Sequence, residues 1–131
     1  MGMRRRNIHT WETIGIMPNL KTALYHSERK LRRDLKSRGV ECPELRTAPA
    51  QTFPQTIDGG TVHFVLLRPS DQPLWSQLAL LAHEATHIAE RYFEELGESD
   101  PGSEDWASAV QSASGCLFDA HLRWLEGRKD G

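Results

Sequence analysis

The chain has 131 residues, of which 38% are hydrophobic and 26% are charged, a balance typical of a globular protein with one modest core. Its formal net charge of −2 argues against a polycation that binds nucleic acid through charge alone. No apolar run approaches the roughly 18 residues of a membrane-spanning helix, the first residues lack the apolar stretch of a secretory signal, and two cysteines are too few for a disulfide scaffold, so we expect a cytoplasmic protein with no membrane partner.

Charge is distributed unevenly along the chain. Residues 1–38 contain ten Lys or Arg and three acidic residues, a local net of +7, whereas residues 84–105 contain eight acidic residues and one Arg, a local net of −7. The basic end could contact nucleic acid or an acidic partner. Because the sequence carries no helix-turn-helix, zinc-finger or RNA-recognition signature, we expect instead that the two segments face each other or are solvated.

The first half of the chain is predicted to hold an N-terminal arm, one helix and a loop. Residues 1–17 form the arm, with a loose alternation suited to a short strand. From Pro18 to Arg38, leucines and alanines recur at helical spacing until Gly39, which predicts one amphipathic helix with a very basic outer face. Residues 40–60 carry three prolines and a Gly-Gly pair and are predicted to be mostly loop, with a candidate strand at 45–48.

The second half is predicted to hold one strand and two long helices. Residues 61–67 read Thr-Val-His-Phe-Val-Leu-Leu, whose β-branched and aromatic content favours a strand. A long helix is predicted from Pro73 to Leu96, with Asp71 as its N-cap and Gly97 ending it. After a turn, a last helix is predicted from Glu104 to Leu125. Helices around one small sheet indicate an α+β fold in a single domain.

The long predicted helix contains a chemistry-bearing motif, His83-Glu84-Ala85-Thr86-His87. Residues four apart on a helix lie on one face, one turn apart, so the imidazoles of His83 and His87 can bind one Zn²⁺. Glu84 lies at the rim of that face, where its carboxylate can take a proton from a metal-bound water as a general base. The alternative is a pair of solvent-exposed histidines on an amphipathic helix.

Residues 80–87 resemble the zinc-binding helix of zincin metallopeptidases. The continuation is similar to the gluzincin type, in which a Glu on the following helix is the third zinc ligand, and Glu104 opens a Glu-x-x-Ala pattern on the next predicted helix. The region 61–111 is also similar to small zincin-like proteins of phages and prophages, although Trp106 stands where those proteins usually carry a second Glu. The resemblance implies a helix-rich minimal zincin-like fold, with a small sheet packed beside the metal-binding helix.

The resemblance also implies a Zn²⁺ ion bound by His83, His87 and Glu104. However, His87 lies about 13–15 Å from the end of the predicted helix, since each residue advances a helix by about 1.5 Å. A tight turn would then place residues near Ser112, rather than Glu104, opposite His87. The third ligand therefore stays open on spacing, and the alternatives by ligand chemistry are Asp105, Cys116, Asp119 and His121.

An extended peptide substrate pairs with an edge strand beside the metal in zincins, and we expect this role for residues 61–67. His63 could reach the metal from this strand, but we interpret it as a polar residue on an exposed face. Tyr25 and Tyr92 are candidates for stabilising an oxyanion, although nothing in their spacing supports either residue.

Two functional hypotheses follow from these residues. The first is a zinc-dependent metallopeptidase that hydrolyses a peptide bond with a metal-activated water and Glu84 as general base. Because 131 residues leave little material for a deep cleft, we expect its substrate to be a flexible peptide or an exposed protein loop. The alternative is a non-catalytic zincin-like protein, either a phage virion or morphogenesis component or a metal-stabilised interaction module. The basic helix 18–38 would be its docking surface for a phage or host protein or for nucleic acid. The protein would be virion-associated if it is phage-encoded.

Overall fold

The computed structural model describes residues 12–14 and 17–130, with side chains described for residues 21–128. The elements in chain order are β1 (Glu12–Ile14), β2 (Met17–Tyr25), α1 (Glu28–Ser37), β3 (Ala50–Ile57), β4 (Gly60–Leu67), α2 (Leu74–Glu95) and α3 (Ser103–Asp130). Within this described part, three helices surround one small mixed sheet, so the predicted α+β fold is confirmed. The rest of the predicted N-terminal arm, residues 1–11 and 15–16, lies outside the described residues.

The four strands of the sheet follow the order β1-β2-β4-β3. β2 and β4 run parallel, whereas β1 pairs antiparallel with β2 and β3 pairs antiparallel with β4. The predicted strand at 61–67 is confirmed as β4, but its predicted position at the edge is wrong because β4 lies between two neighbours. The edge strands of the described sheet are β1 and β3. The edge strand beside β4 is β3, which contains Pro54; proline has no amide hydrogen to donate and is tolerated mainly at sheet edges.

The prediction of one helix from Pro18 to Arg38 is wrong in its first half. Residues 17–25 form β2, which pairs with β4 along residues 20–25, so burial between two neighbouring strands overrides the helical spacing of the leucines. The helix begins only at Glu28, after Ser27 caps it by accepting a hydrogen bond from the Lys30 amide at 3.2 Å.

The prediction that residues 40–60 are mostly loop is wrong for residues 50–57, which form β3, and the candidate strand at 45–48 lies in a loop. β3 and β4 form a hairpin. Its turn residues Asp58 and Gly59 both have positive φ, at 53° and 81°, as a tight two-residue hairpin turn requires. The Asp-Gly pair is therefore the sequence signal for this hairpin.

Helices cover both faces of the sheet. On one face, α1 packs through Leu31 and Leu35 onto the buried residues Ala23, Tyr25, Phe53, Val62, Phe64 and Leu66. On the other face, α2 and α3 pack onto Leu24, Val65 and Leu67. The two long helices are antiparallel, since Phe93 meets Trp106 at one end and Gln77 meets His121 at the other. α2 therefore lies over the sheet with its middle beside the edge strand.

The long predicted helices are confirmed with small changes at their ends. Pro73 is the N-cap of α2 and no side chain caps it, so the prediction of Asp71 as N-cap is wrong. Gly97 ends α2 as predicted, with φ of +75° and with hydrogen bonds from the Gly97 amide to the Glu94 carbonyl and from the Glu98 amide to the Phe93 carbonyl; this pair is the Schellman arrangement. No helix in the described ranges is long and apolar enough to cross a membrane.

Candidate functional site

A groove of about 690 Å³ runs between α2 and β3 and contains all three chemistry-bearing residues of the motif. His83, Glu84 and His87 form part of the helix wall. The opposite wall is formed by the end of the preceding loop and the start of the edge strand, with Ala48, Pro49, Ala50 and Thr52. The motif therefore lies beside the edge strand β3, and not beside the strand at 61–67 that the sequence favoured.

The two histidines of the motif lie side by side on the exposed flank of α2. The ring centroids of His83 and His87 are 4.9 Å apart and the rings meet edge to face at 81°. Nδ1 of His87 lies 3.1 Å from Oε1 of Glu90. A carboxylate on one ring nitrogen holds the proton there and leaves Nε2 with its lone pair. This orienting carboxylate is the partner that a metal-binding histidine usually has.

Glu84 points to the sheet side of the groove and is far more enclosed than the two histidines. Its exposed fraction is 6%, whereas the side chain of His87 is 46% exposed. The hydroxyl of Thr52 on β3 donates a hydrogen bond of 2.6 Å to Oε1 of Glu84. The carboxylate is thereby fixed to the edge strand at the point where the groove passes the histidines.

The structure does not bring Glu104 to the two histidines. Glu104 is exposed at the start of α3, where the neighbouring Trp106 packs on Phe93 with ring centroids 6.1 Å apart. Phe93 lies six residues after His87 in the sequence, which is about 9 Å further along α2 and roughly 120° around its axis. α3 therefore begins near the far end of α2 and packs against a different flank from the one that carries the histidines.

The structure also gives the alternative third ligands positions or partners away from the two histidines of the motif. The thiol of Cys116 lies 3.5 Å from the hydroxyl of Thr22, Asp119 pairs with Arg123, and Asp105 is exposed near the start of α3. His121 is buried, with hydrogen bonds to His26 and Gln77. Across residues 21–128, no group of three His, Cys, Asp or Glu side chains is arranged to hold a metal ion.

The donor chemistry of the groove fits zinc in part. A catalytic zinc takes three protein ligands and one water. The described side chains supply two imidazoles, a carboxylate hydrogen-bonded to one of them, and a second carboxylate on the same wall of the groove. The described side chains of the groove therefore offer two imidazoles, one ligand fewer than a catalytic zinc usually has.

Sequence reasoning missed Arg91 in the groove and the burial of His63. The interpretation of His63 as exposed is wrong, because β4 is an interior strand and the imidazole is 0% exposed. Burial and then the positive charge of Arg91 lower the pKa of His63 to about 4. Arg91 itself lines the groove one turn after His87. Helical spacing could have found Arg91, and the unbroken apolar run around His63 signals a strand buried on both faces.

A second histidine pair lies at the other end of the helix hairpin. Nε2 of His121 is 2.7 Å from the amide oxygen of Gln77, and Nδ1 of His121 is 2.9 Å from Nε2 of His26. Since the amide oxygen only accepts, His121 donates from Nε2 and accepts at Nδ1 from His26. Burial lowers the pKa of His121. These hydrogen bonds tie the end of β2 to both long helices.

Comparisons with protein families, curated proteins and solved structures found no match to this chain.

Proposed function

We propose that the chain is a zinc-dependent metallopeptidase whose active site is the groove between α2 and β3. The observation that carries this proposal is that the motif and the edge strand share one groove. The rings of His83 and His87 are 4.9 Å apart, and the carboxylate of Glu84 is held beside them by Thr52 at 2.6 Å. A helix that presents two imidazoles and a base next to a sheet edge is the arrangement that the zincin resemblance implies.

The edge strand supports a peptide as the substrate. β3 is the last strand in the sheet order, and its partner β4 lies on one side. An extended peptide can add to such an edge through main-chain hydrogen bonds, which tolerate many sequences, while pockets along the groove add selectivity. The groove is shallow and open along α2, so an unfolded segment fits it better than a folded domain.

Each motif residue has a distinct part in the proposed reaction. His83 and His87 would hold the zinc ion, which when bound polarises a carbonyl and makes its water acidic. Glu84 would accept a proton from the attacking water and pass it to the leaving amine. Because the hydroxyl of Thr52 engages Oε1, we assign the proton transfer to Oε2. Glu90 keeps the ring of His87 in the orientation that leaves Nε2 available.

The second candidate is a zincin-like protein without turnover, and a specific observation favours it. The described side chains of the groove supply only two imidazoles, and Glu104 and its alternatives lie elsewhere. A docking surface is also present, since α1 turns a strongly basic face to solvent, with Arg29, Lys30, Arg32, Arg33 and Lys36 exposed. In this reading the chain binds an acidic phage or host protein, as a virion or morphogenesis component or as an interaction module.

One experiment separates the two candidates. Zinc content and cleavage of a mixed fluorogenic peptide library are measured for the native chain and for Glu84→Gln. Glu94→Gln, which makes the same change at an exposed site on the same helix, is the control. The peptidase proposal expects zinc in all three proteins and hydrolysis in the native chain and the control. Zinc binding without hydrolysis favours the second candidate, and equal hydrolysis by Glu84→Gln refutes the assigned base.

A further inference from the structure

Arg91 lies at the far end of the groove and has no partner among the described residues. It lines the groove with His83, Glu84 and His87. Its Nη1 atom is buried without a hydrogen bond. A buried donor that has left water without gaining an acceptor destabilises the structure, and a guanidinium presents five such donors in a fixed fork. The groove therefore contains a hydrogen-bond donor without an acceptor, and a negatively charged acceptor would form the strongest hydrogen bond with it.

The nearby carboxylates of Glu84 and Glu90 have other partners and do not pair with Arg91. Glu84 accepts from Thr52 on the edge strand, and Glu90 lies at Nδ1 of His87. Within residues 21–128, no ion pair joins a carboxylate to Arg91. The positive charge of Arg91 is therefore left for a group that comes from outside the described chain.

His63, on the neighbouring strand, is a second buried polar side chain without a hydrogen-bond partner. It lies on the interior strand β4, it is 0% exposed, and both of its ring nitrogens lack a hydrogen-bond partner. The guanidinium of Arg91 is close enough to act on its protonation, and burial keeps the imidazole neutral. A neutral imidazole adds no second positive charge beside the guanidinium. His63 is enclosed and does not line the groove, so Arg91 is the group that a ligand in the groove can meet.

The spacing along α2 relates this point to the motif. Arg91 follows Glu84 by seven residues, which is about 10 Å along a helix axis. An extended peptide advances about 3.3 Å per residue. If an extended peptide lies in the groove with the bond to be cleaved beside Glu84, the peptide residue about three positions from that bond lies beside Arg91.

We propose that Arg91 is a carboxylate-binding subsite that selects peptides with a carboxylate about three residues from the bond at Glu84. The relation to a cleaved bond rests on the proposed peptidase function, whereas binding of the carboxylate does not. The carboxylate can come from the C-terminus of a peptide or from an Asp or Glu side chain. A guanidinium recognises both through the same paired hydrogen bonds.

The test measures binding by isothermal titration calorimetry to the full chain with no metal added, so that no peptide is cleaved. Three probes are used: acetyl-hexaalanine with a free C-terminal carboxylate, its C-terminal amide, and the amide with Glu at the fourth position. We expect the native chain to bind one or both carboxylate peptides about tenfold more tightly than the neutral amide. The peptide that shows the preference identifies the source of the carboxylate.

Variants assign the preference to the arginine. Arg91→Gln should reduce it to less than twofold, and Arg29→Gln, which makes the same charge change on exposed α1, should keep it. Arg91→Lys should weaken it at least threefold, because an ammonium lacks the planar fork, and this variant decides the question if Arg91→Gln does not fold. Equal binding of neutral and charged peptides, or a preference that survives both Arg91 variants, overturns the subsite.

The outcomes also separate the subsite from the peptidase proposal. If the chain binds carboxylate peptides more tightly than the amide but cleaves no peptide, the result supports the subsite and counts against the peptidase proposal. Hydrolysis by the zinc-loaded chain without any charge preference among the three peptides leaves the peptidase standing and removes the subsite.

Discussion

The hydrogen bond between Thr52 and Glu84 should contribute measurably to stability. Thr52→Val keeps the shape of the side chain but removes the hydroxyl that donates a hydrogen bond of 2.6 Å to Oε1 of Glu84. Glu84 is 6% exposed, so water cannot readily replace the lost donor. A hydrogen bond to a charged group contributes about 1.5–3 kcal/mol, and we expect the unfolding free energy to fall by that amount.

The assay is equilibrium unfolding in urea at neutral pH, followed by circular dichroism, for the native chain and three variants. Thr52→Ser keeps the hydroxyl and loses one methyl group, so it should cost less than about 1 kcal/mol. In a Glu84→Gln background the acceptor is neutral, and Thr52→Val should then cost only about 0.5–1.5 kcal/mol.

Two results would refute this reasoning. If Thr52→Val costs no more than Thr52→Ser, the hydroxyl does not stabilise the carboxylate. If Thr52→Val costs the same with Glu84 and with Gln at that position, the charge of the carboxylate is not what the hydroxyl stabilises.

Further predictions concern pH, packing and backbone. The pKa of His63 is about 4 in the folded chain, compared with 6.5 for a free imidazole. Between these pH values the unfolded chain binds more protons, so the free energy of unfolding should fall by up to about 3 kcal/mol as pH drops from 6.5 to 4. In urea titrations His63→Leu should show a correspondingly weaker pH dependence. Leu117→Ala should cost about 2–5 kcal/mol in thermal unfolding because Leu117 is 1% exposed, whereas Leu122→Ala on the same helix, at 44% exposed, should cost less than about 1 kcal/mol; equal costs would contradict the assigned core. Gly97 has a φ of +75°, so Gly97→Ala should lower the free energy of unfolding by about 1 kcal/mol. Gly115 lies inside α3 with open space around it, so Gly115→Ala should raise that free energy by about 0.5–1 kcal/mol. A change of the same sign for both variants in urea unfolding would contradict the assigned backbone.

The second half of the fold could be predicted from the sequence because its signals are local. The strand at 61–67, the helix that carries the motif and the glycine that ends it all appear close to their predicted bounds. The first half depends on distant partners. Residues 20–25 have leucines at helical spacing, yet they pair with β4 about forty residues later in the sequence, and no local pattern encodes that pairing.

The candidate site was predictable only in part for the same reason. The spacing of His83 and His87 follows from helix geometry, and the structure places their rings together. Thr52, the hydrogen-bond partner of Glu84, lies on the edge strand β3. The proline and polar residues of β3 are typical of a loop, so the sequence did not predict this strand. The third ligand was assigned to Glu104 from a family pattern, but the length of α2 carries the start of α3 away from the histidines.

Cobalt uptake tests the central claim most directly, since the proposal depends on His83 and His87 holding one metal ion in the groove. Cobalt(II) is titrated into the metal-free chain and its visible absorption is recorded, followed by displacement with zinc. We predict one ion per chain, displaced by zinc, with the signal lost in His83→Ala and in His87→Ala and kept in the exposed-site control Glu94→Gln. A native chain that takes up no ion, or variants that bind as well as the native chain, would contradict the proposal.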